Sequence, residues 1–291
     1  MATLHGMFTP FAGEEHRAFF LNGGQPAALL VHGFPGTPAE MRPLASALHR
    51  VDWTTHGLLL PGFGAEIATL SQRKRQQWSA AVLAALRELQ HKHHPVVLIG
   101  NSMGSALSLT LAAELCSSGE QPPDALMLFA PFCRIEHVLW QMLPIVKRVF
   151  PVFQPFRWFK PDFSNSETRK GIRNVRPDAD LDDPQVQQAI REFQLPIAMF
   201  DELRMVGAAA YKAASQAALP MLVIQGTQDR LVSPKSTRQL IARCGGEVTY
   251  REVTAEHDLL KPENAVWAEV EAAVLAFARS IERSEVHAHR A

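Results

Sequence analysis

The chain is short of several things, and each shortage excludes a class of function. Cysteine is rare: Cys116, Cys133 and Cys244 are the only three in 291 residues. They are odd in number, widely spaced and without a C-x-x-C pair, so neither a disulfide framework nor a zinc or dithiol site is expected. Net charge is absent, with 29 Lys+Arg against 29 Asp+Glu. A balanced chain has no global field to gather nucleic acid or anionic lipid, and no nucleic-acid partner is expected. The basic triplet Arg73-Lys74-Arg75 reads as the solvated start of a helix. Long hydrophobic runs are also missing: no segment reaches the roughly 18 uninterrupted apolar residues of a membrane helix, so no stable membrane insertion is expected. The opening MATLHGMFTPFAGEEHR lacks the basic and apolar regions of a secretory leader, which makes a cytoplasmic location the expectation. Histidines at HKHH (91–94) and in the terminal VHAHRA read as an exposed helix end and a frayed tail, and no metal site is expected.

What is present is ordinary globular composition, 47% hydrophobic and 20% charged residues, enough for a sizeable core. Short apolar runs recur at PAALLVHGF (26–34), TTHGLLLPG (54–62), PVVLIGNS (95–102), ALMLFAPF (125–132) and PMLVIQG (220–226). Helical patterns lie between most of them, notably at 72–90 and 103–116. Continuous rather than alternating apolar strands, separated by helices, predict an α/β fold with a mostly parallel sheet and helices on both faces. The alternation stops after Phe132. The stretch 133–215, rich in Pro, Trp and Phe, is far longer than a usual loop and is expected to form an inserted cap, with 1–132 and 216–291 as the core. Its aromatics Trp140, Phe150, Phe153, Phe156, Trp158, Phe159 and Phe163 suit an apolar substrate pocket, with packing onto the core as the competing explanation.

LIGNSMGSAL (98–107) sets Ser102 in G-x-S-x-G between a strand and a helix. Such a turn needs small neighbours because its backbone is sharp and crowded, and it places the hydroxyl at the positive end of a helix. A serine hydroxyl is a weak nucleophile near neutral pH, so it needs a base in reach and a carboxylate to orient that base. Asp229, in GTQDRLV after the next-to-last strand, and His257, in VTAEHDLLKP after the last, supply both at C-terminal strand ends, in the order Ser, Asp, His. Asp201 is a rival for the acid. Acyl transfer also needs two N–H donors for the developing oxyanion. The Met103 amide follows the serine, and the Phe34 amide lies in LLVHGFPGTP (29–38). His32 precedes that turn and is expected to order it by hydrogen bonding.

Together these residues resemble the α/β-hydrolase superfamily from Pro26 to the final helix. Within it, LLVHGFPGTP and LLLPGFGAE look like the bacterial carboxylesterase and monoacylglycerol lipase branch. The resemblance implies Ser102 as nucleophile, Asp229 as acid, His257 as base, the Phe34 and Met103 amides as oxyanion donors, and no cofactor. Two departures stand out. Phe63 occupies the place of a histidine in a PGHG-like loop, and Ser105 follows Gly104 where many members have a second glycine. GNSMG is similar to the nucleophile turn of carbon–carbon bond hydrolases. The expected activity is hydrolysis of a small-molecule carboxylic ester, short- to medium-chain or a monoacylglycerol, with Trp140 in the substrate pocket. Three alternatives share the scaffold: carbon–carbon cleavage; an aminopeptidase, which needs acids such as Asp201 and Glu202 to hold a substrate ammonium; and a non-catalytic receptor. Nothing in the sequence signals an oligomeric state.

Overall fold

The computed structural model describes residues 11, 13–133, 138–149, 152–153, 161–175, 180–192 and 195–288. Its elements run β1 (Phe19–Leu21), β2 (Ala27–Val31), α1 (Arg42–His49), β3 (Thr54–Leu58), α2 (Arg75–Gln90), β4 (Val96–Asn101), α3 (Met103–Ser118) and β5 (Ala125–Phe129). Short helices α4 (Val138–Gln141), α5 (Leu143–Val149), α6 (Ser166–Val175) and α7 (Pro184–Arg191) follow, with β6 (Val152–Phe153) pairing β7 (Leu195–Pro196). The long α8 (Ile197–Ala213), β8 (Met221–Gly226), α9 (Pro234–Ile241), β9 (Val248–Val253) and α10 (Trp267–Ala288) complete the chain.

Seven strands form one sheet in the order β1-β3-β2-β4-β5-β8-β9. All neighbours are parallel except β1, which lies antiparallel on β3. Strands β2, β4 and β5 are continuous apolar runs because both faces are covered. Leu29, Val31, Leu98 and Leu128 point into one cluster with Trp78, Val82 and Leu86 of α2 and much of α3. Leu30, Val97, Ile99 and Met127 point into the other, with Leu44 and Leu48 of α1 and Val270, Val274 and Ile281 of α10. The period-two alternation thus sorts residues between two buried layers rather than between core and water. Helix starts follow local chemistry. Gln77 accepts from the Lys74 amide at 2.9 Å to open α2, and Ser233 accepts from Ser236 N at 3.1 Å with Pro234 in the first turn of α9.

The edge strand β1 has no counterpart among the expected strands: three residues, partly exposed, leave too short a pattern to read. The stretch 133–215 shows two kinds of packing. Helix α8 lies along α3, and its Met199, Leu203, Val206 and Ala210 are buried in the cluster that covers the sheet. Phe163, Leu181, Val186 and Ile190 instead form a small separate cluster with Ile172, so Phe163 is held by packing. Phe150, Phe156, Trp158, Phe159 and the side chain of Phe153 lie outside the described residues. Among the described residues no helix is long and apolar enough to cross a membrane.

Candidate active site

The chain leaves β2 for β3 on one side and returns to β4 on the other, so the strand order reverses between β2 and β4. A crevice opens at such a switch point, beyond the C-terminal strand ends. The turn after β2 and the turn after β4 meet there, Val31 pairing with Gly100. Ser102 sits at the second turn with φ +50° and ψ −111°, a conformation that costs an L-residue on the order of 1–3 kcal/mol. Surrounding bonds hold it in place: Ser102 N donates to Phe129 O at 2.8 Å, and Phe132 N donates to Ser102 O at 3.1 Å. The flanking glycines are required by close approach. A Cβ at Gly104 would lie 2.1 Å from Val31 O, and one at Gly100 would lie 2.4 Å from Ser105 N. Ser105, the departure from a second glycine, has its own task. Its hydroxyl donates to Gly100 O at 2.7 Å and accepts from Phe129 N at 3.1 Å, tying the first turn of α3 to β4 and β5.

Asp229 and His257 extend from the neighbouring strands β8 and β9. Thr227 N donates to Val253 O and Gln228 N to Ala255 O, both at 2.9 Å, so the two loops are stitched together. The Asp229 carboxylate is fully buried. Its Oδ1 accepts from Leu231 N at 2.8 Å and Val232 N at 2.9 Å, and its Oδ2 meets His257 Nδ1 at 2.7 Å. Burial alone would raise this carboxyl, but the bond from His257 and those from the Val232 and Leu231 amides outweigh it and hold Asp229 below the usual carboxylate range. An ionised carboxylate only accepts, so Nδ1 of His257 carries a hydrogen, and in the neutral ring the lone pair is then on Nε2. Asp201, the rival acid, is bound elsewhere, by Lys147 and Arg204.

The sequence reading misses two residues. Gln225, the single polar side chain in the β8 run, is fully buried. It donates to Asp229 Oδ2 at 3.1 Å and Val232 O at 3.0 Å and accepts from Thr237 at 2.7 Å. Gln225→Leu should remove one donor from each of those acceptors and loosen Asp229, lowering kcat about tenfold with a smaller change in KM. Steady-state kinetics alongside a melting curve would separate that from general instability. The second is Glu40, whose Oε1 accepts from Gly33 N at 2.6 Å and Asn101 Nδ2 at 2.9 Å. Burial pushes this carboxyl above its ordinary value and Asp258 adds to the rise, while the Gly33 and Asn101 bonds and His257 pull it down.

His32 behaves as expected of an ordering residue. Its Nε2 accepts from Leu60 N at 3.1 Å, so the opposite nitrogen carries the hydrogen and donates to Gly33 O at 2.9 Å. Burial lowers its pKa to about 4, so the ring is neutral at physiological pH. Phe63, the departure from histidine, is buried edge-on against His32 at 4.9 Å and beside Trp78 at 5.8 Å. Phe34 touches Phe63 at 6.2 Å and Phe200 of α8 at 6.3 Å. Met103 begins α3, where helical amides have no acceptor within the helix. Trp140 packs on Phe132 at 6.1 Å, next to the Ser102 turn. Of the basic triplet, Arg73 pairs with Glu66, while Lys74 and Arg75 both pair with Glu202.

Residues 25–262 match a family model described as serine aminopeptidase, S33. The chain is 35% identical over 94 residues to a thermostable monoacylglycerol lipase of Bacillus sp. (strain H-257), a match covering 32% of this chain and 38% of the relative. It is 29% identical over 168 residues to a lysophosphatidylserine lipase of Bos taurus, covering 52% of this chain and 40% of the relative. The matched part therefore spans about two fifths of the length of these curated relatives. A solved structure from work on the metagenome-derived lipolytic enzymes LipS and LipT superposes with a TM-score of 0.71 at 20% identity, over 92% of this chain and 98% of that one. With its reversed strand order, strained serine turn and a family match over most of its length, the chain belongs to the serine aminopeptidase S33 family of α/β hydrolases.

Proposed function

We propose that the protein is a serine ester hydrolase acting on short- to medium-chain carboxylic esters, monoacylglycerols among them. The observation that carries this reading is the bond of His257 Nδ1 to the buried Asp229 carboxylate, which in the neutral ring leaves Nε2 able to accept a proton. In the proposed cycle His257 Nε2 takes the Ser102 proton as the hydroxyl attacks the ester carbonyl. The oxyanion settles on the Phe34 and Met103 amides. His257 returns the proton to the leaving alcohol, and the same residue activates water to release the acid. The stretch 133–215 would act as the cap, with Trp140 beside the acyl chain. A single-acyl glycerol ester is the chemistry shared by the names of the two curated relatives, which supports this substrate class.

The family's description raises the aminopeptidase alternative, and the acids it would use argue against it. Asp201 is paired with both Lys147 and Arg204, and Glu202 with both Lys74 and Arg75. Neither has charge to spare for a substrate ammonium. The test is turnover of p-nitrophenyl esters from acetate to palmitate alongside amino-acid p-nitroanilides. An optimum at medium chain length and background rates on the anilides are expected. A strong preference for acetate would overturn the chain-length assignment, and a folded protein inert on every ester would overturn the esterase reading in favour of amide or carbon–carbon cleavage.

A further inference from the structure

Resting on the esterase reading above, we propose that Glu40 is a positioning residue, which holds the Phe34 oxyanion amide in register with the Ser102 turn. The two turns that must cooperate belong to different strands, and one carboxylate oxygen bridges them: Oε1 takes Gly33 N at 2.6 Å from the first and Asn101 Nδ2 at 2.9 Å from the residue before Ser102. The Oδ1 of Asn101 is buried without a hydrogen-bond partner, so the orientation of that side chain rests on its bond to Glu40. Oε2 fills the inside of the turn, where a Cβ on Gly36 would lie 2.2 Å from it.

The consequence for Phe34 follows from peptide geometry. The Gly33 carbonyl and the Phe34 N–H belong to one planar trans unit and point in opposite directions. His32 holds the carbonyl end at 2.9 Å and Glu40 holds the Gly33 N–H on the other side of the same Cα. With both sides of Gly33 fixed, the Phe34 N–H is aimed away from His32 before substrate arrives. Preorganised donors act on the transition state more than on the bound ester.

The spacing Thr37-Pro38-Ala39-Glu40 has the form of a helix capping box, in which Glu would bond back to the Thr37 amide. The carboxylate instead takes Gly33 N and Asn101 Nδ2, while Thr37 caps with its own hydroxyl, accepting from Ala39 N at 3.4 Å.

The experiment compares Glu40→Ala, Glu40→Leu and Glu40→Gln with wild type and Ser102→Ala on one p-nitrophenyl ester at pH 8, with melting curves for each. Ala and Leu should lower kcat by about 10- to 100-fold with KM within about twofold, because a misaimed donor weakens the transition state alone. Gln keeps an oxygen acceptor and should recover kcat to within about threefold of wild type. Leu fills the space if Ala does not fold. Wild-type kcat in Ala or Leu, a loss confined to KM, or a Gln variant as impaired as Leu would each overturn the positioning role. Activity surviving in Ser102→Ala would instead overturn the esterase reading, whatever the Glu40 variants do.

Discussion

Ser102→Ala is expected to reduce kcat on a p-nitrophenyl ester by roughly 10⁵- to 10⁶-fold while leaving the fold intact. Ser102 is held at φ +50° by bonds through its own N and O to Phe129 and Phe132, neither of which uses the side chain. Alanine meets the same strain as serine there, so the melting temperature should move little. What disappears is the hydroxyl that forms the acyl-enzyme in the proposed cycle. The oxyanion turns remain, so a residue of catalysis should persist, on the order of 10³-fold above the uncatalysed reaction. Retention of more than about 1% of wild-type kcat by the purified variant, on the scale set by such knockouts, would remove Ser102 from the role. A collapsed melting curve would instead make the hydroxyl structural.

Much of the fold and of the site is legible in the amino-acid sequence. The five apolar runs are β2, β3, β4, β5 and β8, and their continuous character correctly announces a sheet buried on both faces. The meeting of Asp229 with His257 is readable because each residue follows a strand, and parallel strands deliver their C-terminal ends to one rim. Strand order is not readable, since periodicity carries no information about which strands are neighbours. The edge strand β1 is hidden by its length. Glu40 is hidden for a subtler reason: its spacing from Thr37 suggests a local cap, and only the three-dimensional approach of the β2 and β4 turns gives it a different pair of donors. Gln225 carries a signal, a lone polar residue in an apolar strand, because a buried amide must find partners. Its partners lie in the loop that follows β8 and in α9, and that is a matter of how the chain turns after Gly226.

Asp229→Asn tests the orientation of the base rather than its presence, and a loss of about 10⁴-fold in kcat is expected. The amide has one oxygen and one nitrogen to place in two positions. The Oδ1 position faces two donors, the Leu231 and Val232 amides, which claim the oxygen. The nitrogen then falls where Oδ2 now meets His257 Nδ1 and Gln225 Nε2. There it opposes Gln225 donor to donor, and it can bond His257 only if Nδ1 gives up its hydrogen. The ring then carries its proton on Nε2 and can no longer accept one there. Stability should change with pH in a defined direction. Because the folded state holds the Asp229 carboxyl below its ordinary value, the wild type gains stability above the unfolded carboxylate pKa and loses it as pH falls through the folded one. The variant, with nothing to titrate at this position, should lack that share of the acid-side loss. Melting curves from neutral pH down through the carboxylate range would show the two proteins converging as acidity rises. Curves that stay parallel would mean the carboxyl is not held low in the fold, and near-wild-type kcat would mean that His257 does not depend on Asp229 for its tautomer.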